Sequence, residues 1–138
     1  SIEHDRRHMS RAVVEGVAFG LRDGLDQMIA TGMPAPSQVR ASGGGTASPL
    51  WRQILADVLD AEVATVNTTE GAAFGAALLA TVGAGWHESI EGATAAFVRV
   101  TPAASPGPDA ARYADVHAAY RDLYPALAPT FHRPLASR

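Results

Sequence analysis

Apolar side chains at Val14, Val17, Ala18, Leu21, Leu25, Met28 and Ile29 recur three or four residues apart, while Arg11, Glu15, Arg22, Asp23 and Asp26 occupy other faces. This spacing predicts an amphipathic helix over residues 8–31. The pairs Arg11–Glu15 and Arg22–Asp26 stand four apart, where opposite charges add about 0.2–0.5 kcal/mol each. Gly32, Pro34 and Pro36 then stop the helix. Residues 38–41 predict a brief strand that ends in the turn Ser42-Gly43-Gly44-Gly45-Thr46. Ser48 and Pro49 are a good N-cap and first helical residue, and two apolar rows follow: Leu50, Ile54, Val58 and Trp51, Leu55, Leu59.

A second strand is expected over 63–66, with Asn67, Thr68 and Thr69 as caps for a third helix over 70–82. Gly71, Ala72, Ala73, Gly75, Ala76, Ala77 and Ala80 give that helix a small-residue surface, at a cost of about 1 kcal/mol per interior glycine. Such a cost is offset where another backbone or a ligand comes close. Gly83 and Gly85 end it, and 86–97 predicts one more short helix. Residues 101–108, with three prolines and a glycine, read as a linker before a last amphipathic helix carrying Tyr113, Val116, His117, Tyr120, Leu123, Tyr124 and Leu127. Strands alternating with helices imply parallel βαβ units. Two strands make a poor sheet, and a parallel sheet needs both faces covered. The expectation is a helix-rich α/β unit with a short parallel strand pair, part of a domain whose other strands lie elsewhere.

Composition narrows the function more than the fold. The chain has 138 residues, is 47% apolar and carries a formal charge of −3, a length suited to one moderate core. Its eleven cations, all arginine, are scattered rather than gathered in a stripe, so no nucleic-acid partner is expected. Without cysteine there is neither a disulfide framework nor a thiolate metal site. The longest apolar stretch, 72–82, is too short and too rich in glycine to span a bilayer, and no leader is recognised ahead of the first helix. A cytoplasmic protein is expected.

The glycine turn is the strongest candidate for chemistry. Three residues without Cβ atoms let main chain lie against a flat base or ribose, and the helix from Ser48 offers free N–H groups. Taken alone, the same run is more readily a plain strand-to-helix turn. It is neither a P-loop nor the dinucleotide fingerprint. His4, His8, His87, His117 and His132 are dispersed without ligand spacing, so no metal site is expected. His117 reads as a packed or half-exposed core histidine, and Trp51 and Trp86 as core or lid. Asp57, Asp60 and Glu62 read as a solvated turn, and Asp115 and Asp122 as the polar face of the last helix. No catalytic residue is assigned.

Four stretches, in order, carry a resemblance. His8-Met9-Ser10-Arg11-Ala12-Val13-Val14-Glu15-Gly16 resembles the second half of the C-terminal signature of the FGGY carbohydrate kinase family. Ser42-Gly43-Gly44-Gly45, with Ser48 through Asp57, is similar to the adenosine-binding stretch of the members that act on xylulose. Glu70 through Ala77 resembles the glycine-alanine helix that follows, and Tyr120 through Pro125 the terminal helix. The resemblance implies part of an actin-like ATPase fold with a ribonuclease-H-like core, with residues 1–138 as the later part of the nucleotide-binding domain.

It implies ATP and Mg²⁺ as cofactors of a complete kinase, with Gly43, Gly44, Gly45 and Ser48 on the nucleotide side and Glu15 supporting that pocket. Ala47 departs from the basic residue common at its position. The catalytic aspartate, the phosphate-binding turn and the sugar pocket of the family correspond to nothing in this sequence. The expected partners are therefore the remainder of a kinase chain, a sugar bound by that remainder, and a second copy in a homo-oligomer. Glycerol, gluconate or ribulose are alternative substrates, and a free-standing binding module is the alternative from outside enzymology.

Overall fold

The computed structural model describes residues 4–132. The first helix, α1 (Arg6–Ala30), starts where Asp5 accepts hydrogen bonds from the backbone N–H groups of Arg7 and His8 while the His8 ring accepts from the Asp5 N–H. This reciprocal capping satisfies donors that have no partner within the helix. Gly32, at φ 106°, closes its far end, a backbone conformation that glycine takes without strain. Strand β1 (Gln38–Ala41) leads through a single 3₁₀ turn (Gly44–Ala47) into α2 (Pro49–Leu59). Ser48 caps α2 by accepting from the Trp51 N–H, and Asp60 ends it in the left-handed region at φ 51°.

Strand β2 (Glu62–Val66) pairs in parallel with β1, Gln38 opposite Glu62 and Ala41 opposite Thr65. Helices α3 (Gly71–Gly83) and α4 (Ile90–Phe97) follow, then β3 (Val100–Ala104) and α5 (Ala110–Phe131). Among the described residues the sheet runs β1-β2-β3, with β3 antiparallel to β2. The expected parallel pair is present, and one expectation is extended and another corrected. The strand pair is joined by a third, antiparallel strand, and residues 101–108 are not simply a linker, because their first half is that strand. Pro102 has no N–H to give a ladder, but it sits on an edge strand beside an irregularity in register at Val63 and Ala64, where proline is tolerated.

The core lies where α2 is sandwiched between the sheet, α1 and α5. Six consecutive residues of α2, Ile54 through Leu59, are buried, and they pack with Ala18, Phe19 and Leu25 of α1, Val63 of β2 and Tyr113 of α5. Asp57 belongs to this run, correcting its expected place in a solvated turn. Its carboxylate accepts from the Gly107 N–H at 2.6 Å and from the Gln53 amide at 2.9 Å, and Gln53 also donates to the Ser105 carbonyl at 3.0 Å. The segment between β3 and α5 is thereby pinned to α2. A Cβ at Gly107 would stand 3.3 Å from the Gln53 nitrogen, so only glycine fits this approach easily.

His117 is buried as expected, beside Phe19, with its Nε2 2.8 Å from Asp23. Val116, Leu123, Tyr124 and Leu127 of the same helix remain exposed. Asn67 and Thr68 cap nothing in the expected way. The Asn67 side chain bridges to the Phe97 carbonyl and the Arg99 N–H, and Thr68 accepts from the Glu70 N–H, leaving α3 without a side-chain N-cap bond.

Candidate functional site

The glycine turn is built by its own backbone. Gly43 sits at φ 96° and ψ 170°, a region that side chains other than glycine enter only at a cost of about 1–3 kcal/mol. Its carbonyl accepts from both the N–H and the hydroxyl of Thr46, at 3.1 and 2.7 Å. The Arg52 guanidinium, one turn into α2, donates to the Thr46 carbonyl at 2.5 Å. Strand end, turn and helix start are thus tied into one rigid corner.

The three glycines differ in what surrounds them. A Cβ built on Gly43 or Gly44 would meet nothing within 4 Å, whereas one on Gly45 would stand 3.4 Å from the Trp51 ring. Gly45 lets the turn seat on Trp51, and Gly43 and Gly44 leave main chain bare toward open space. Ser48 is exposed beside them. A Cβ on Gly71 would lie 3.5 Å from the Ser42 hydroxyl, so the start of α3 also comes to this corner.

Next to the turn lies an apolar cavity of ≈ 350 Å³, lined by Val13, Val14 and Val17 of α1 and by Gly45, Ser48, Leu50 and Trp51. A groove of ≈ 620 Å³ shares Val14 and Leu50 with it and continues along Arg6, Arg7, His8, Ser10 and Arg11. The combination of bare main chain, an apolar wall and a basic extension suits a flat aromatic ring joined to an anionic chain.

Behind the groove, Arg11, Glu15 and Tyr113 form a closed triangle. Arg11 Nε donates to Glu15 Oε1, Arg11 Nη2 donates to the Tyr113 hydroxyl, and that hydroxyl donates to Glu15 Oε1, each at 2.6 Å. Burial, followed by the hydrogen bond to Glu15, pushes the Tyr113 hydroxyl above the ordinary phenol value, and the bond to Tyr113 followed by that to Glu15 raises Arg11. The phenol therefore stays protonated and donating at neutral pH.

Gly43, Gly44, Gly45 and Ser48 are together in one corner. Sequence reasoning missed the α1 wall, whose nearness to the turn depends on packing, and it missed Tyr113. Arg11 and Glu15 at helical spacing were the one available sign of the triangle. Trp51 packs against the core, while Trp86 is 77% exposed and is no part of it. The His4 and His8 rings meet edge to face with centroids 5.1 Å apart, but among the described residues no group of three or more His, Cys, Asp or Glu could hold a metal ion. Nor is any helix there long and apolar enough to cross a membrane.

The family model for the FGGY family of carbohydrate kinases, C-terminal domain, matches residues 1–84. The chain belongs to that family, and its helix-rich mixed-sheet unit is part of the family's actin-like, ribonuclease-H-like fold. It is similar to the xylulose kinase of Lactococcus lactis, 33% identical over 135 residues, which cover 96% of this chain and 27% of that protein. The crystal structure of xylulose kinase from Rhodospirillum rubrum superposes with a TM-score of 0.82 and 36% identity over 96% of this chain and 27% of that one. A glycerol kinase from Vibrio vulnificus is 42% identical over 84 residues, 61% of this chain and 17% of that protein. The chain thus spans about a quarter of the length of the xylulose kinases it matches.

Proposed function

We propose that this chain is the adenosine-side part of an ATP-dependent sugar kinase that phosphorylates D-xylulose to xylulose 5-phosphate in the cytoplasm. The observation that carries the reading is the bare main chain of Gly43 and Gly44, where an added Cβ would meet no protein atom within 4 Å, beside an apolar wall and the start of α2. Adenosine fits this corner: Val13, Val17 and Trp51 offer apolar contact to a base, and the glycines admit it close to the backbone. ATP, when bound, supplies the phosphoryl group that is transferred. What this chain does is hold the nucleoside end in a fixed place, and phosphoryl transfer depends mainly on such positioning together with charge stabilisation. Mg²⁺, if bound, would supply neutralising charge to the nucleotide phosphates, and its protein ligands would belong to the remainder of the kinase chain. That remainder would also supply the catalytic base and the sugar pocket.

Xylulose is favoured over glycerol because xylulose kinases are similar to nearly the whole chain while the glycerol kinase matches 61% of it. A gluconate kinase structure covers 91% of the chain at 27% identity, against 36% for the xylulose kinase of Rhodospirillum rubrum, and keeps gluconate as the alternative. Two measurements test the reading. The 138-residue chain alone should consume ATP only at background with xylulose, and turnover of about 1 s⁻¹ or more, within the ordinary enzyme range, would overturn the division of labour. In the complete kinase, Gly44→Val should weaken ATP by roughly thirty- to a hundredfold, about 2–3 kcal/mol, and spare the sugar. The structure makes this variant clean, because Gly44 has neither a positive φ nor a close protein neighbour. An unchanged Michaelis constant for ATP would remove the turn from the nucleotide site.

A further inference from the structure

An arginine on an exposed helix face ordinarily wanders among rotamers. Arg11 does not have that freedom, because its Nε and Nη2 are each held at 2.6 Å, by Glu15 from its own helix and by Tyr113 from α5. The guanidinium is planar, so fixing two of its nitrogens fixes the third. Nη1 has no hydrogen-bond partner among the described residues, and the side chain lines the groove that shares Val14 and Leu50 with the cavity beside the glycine turn. A second observation points to the charge of what belongs there. The first turn of α1 carries Arg6 and Arg7, with Asp5 at the N-cap as the carboxylate that meets the helix dipole. Both arginines line the same groove.

Resting on the nucleotide reading above, we propose that Arg11 is the anion-binding group of this groove, taking a phosphate of the nucleotide through Nη1, and that Tyr113 is a positioning residue that aims it. Glu15 alone would hold the guanidinium at one edge and leave it free to swing. The Tyr113 hydroxyl supplies the second point and takes up part of the Glu15 acceptor capacity, so that less of the arginine's charge is spent on the carboxylate. The last helix is thereby coupled to the nucleotide end of the molecule, although it contributes no residue to the turn itself.

The test is calorimetric binding of ADP and of adenosine to the complete kinase, with thermal melting alongside. Arg11→Gln should weaken ADP roughly tenfold and Tyr113→Phe about threefold, both leaving adenosine within about twofold, the pattern of a lost charged hydrogen bond. Arg11→Lys keeps the charge without the fork and should recover only part of the loss. Tyr113→Phe retains the ring that packs edge-on against Phe19 at 6.0 Å, so it should fold even if Arg11→Gln does not. Equal losses for ADP and adenosine, or a melting shift with no change in either affinity, would reduce the triangle to a structural staple and overturn the proposal. If Gly44→Val weakens both ligands and neither Arg11→Gln nor Tyr113→Phe alters ADP, the proposal fails while the adenosine site stands. If Gly44→Val leaves both ligands unchanged, the reading on which the proposal rests has failed with it.

Discussion

Helices α2 and α3 are similar in length and α3 is the more apolar, yet they have opposite fates. α2, with 11 residues, buries six in succession; α3, with 13, buries only Leu78 and leaves Leu79 at 62% exposure. Apolar content does not explain this, since Thr81 is the one polar side chain of α3. Position does. α2 is the crossover between two parallel strands, so the sheet covers one face while α1 and α5 cover the others. α3 leaves the end of β2 and packs mainly with α4, whose one buried residue is Ala93. A helix apolar on every side belongs in an interior, and in a chain spanning about a quarter of its xylulose kinase relatives such a face fits cover from the rest of a kinase.

Core truncation should break this comparison most sharply. Ile54 is fully buried in α2, and Ile54→Ala should cost about 2–5 kcal/mol through lost transfer energy and the cavity left behind. Leu79→Ala in α3 should change stability by no more than about 0.5 kcal/mol, as exposed sites do. Urea titrations of both variants of the 138-residue chain measure the difference. Equal losses would mean that α3 is covered in solution, by a second copy for example, and light scattering would then show a species larger than the monomer.

Asp57 gives the next effect. Asp57→Ala leaves the half-buried Gly107 N–H without its 2.6 Å partner, at about 1 kcal/mol, the lower end for an unsatisfied donor that water partly reaches. Hydrogen exchange should show the segment at 105–107 released first. An unaltered exchange pattern there would mean that α5 is held by its packing on Phe19 and by the bonds of Tyr113 and His117 to α1.

What the sequence made legible follows the same divide. Each expected helix and both expected strands occur, because their signals are local: periodicity, Ser48 and Pro49 as a start, Gly32 as a stop. The third strand was hidden by Pro102, since a proline demotes a strand unless that strand lies on an edge, and edges are known only once the sheet is assembled. Asp57 was misplaced because a carboxylate near a helix end is ordinarily solvated, although its position between Ile54 and Val58 on the apolar face was a usable sign. The glycine corner could be located from its run of residues, but its apolar wall could not. Nor could the bond between Glu15 and Tyr113, 98 residues apart, which no spacing rule connects.

Helix capping offers the smallest effect and the finest test. Ser48 accepts from the Trp51 N–H at 3.3 Å, whereas Glu70, in the same position before α3, makes no side-chain cap bond. Ser48→Ala should therefore cost about 1 kcal/mol, the ordinary value of an N-cap. Glu70→Ala loses no hydrogen bond to the helix and, as an exposed substitution, should stay within about 0.5 kcal/mol. The Ser48 loss should appear as a lower melting temperature of the chain, with nucleotide affinity in the complete kinase changed less than by Gly44→Val. This separation decides what Ser48 is for. The hydroxyl already faces the helix as an acceptor and can still offer its proton to a ligand. Should Ser48→Ala leave the melt untouched and weaken ATP as much as Gly44→Val does, then Ser48 is a nucleotide contact first and a cap only second, and the difference between the starts of α2 and α3 reflects ligand binding rather than folding.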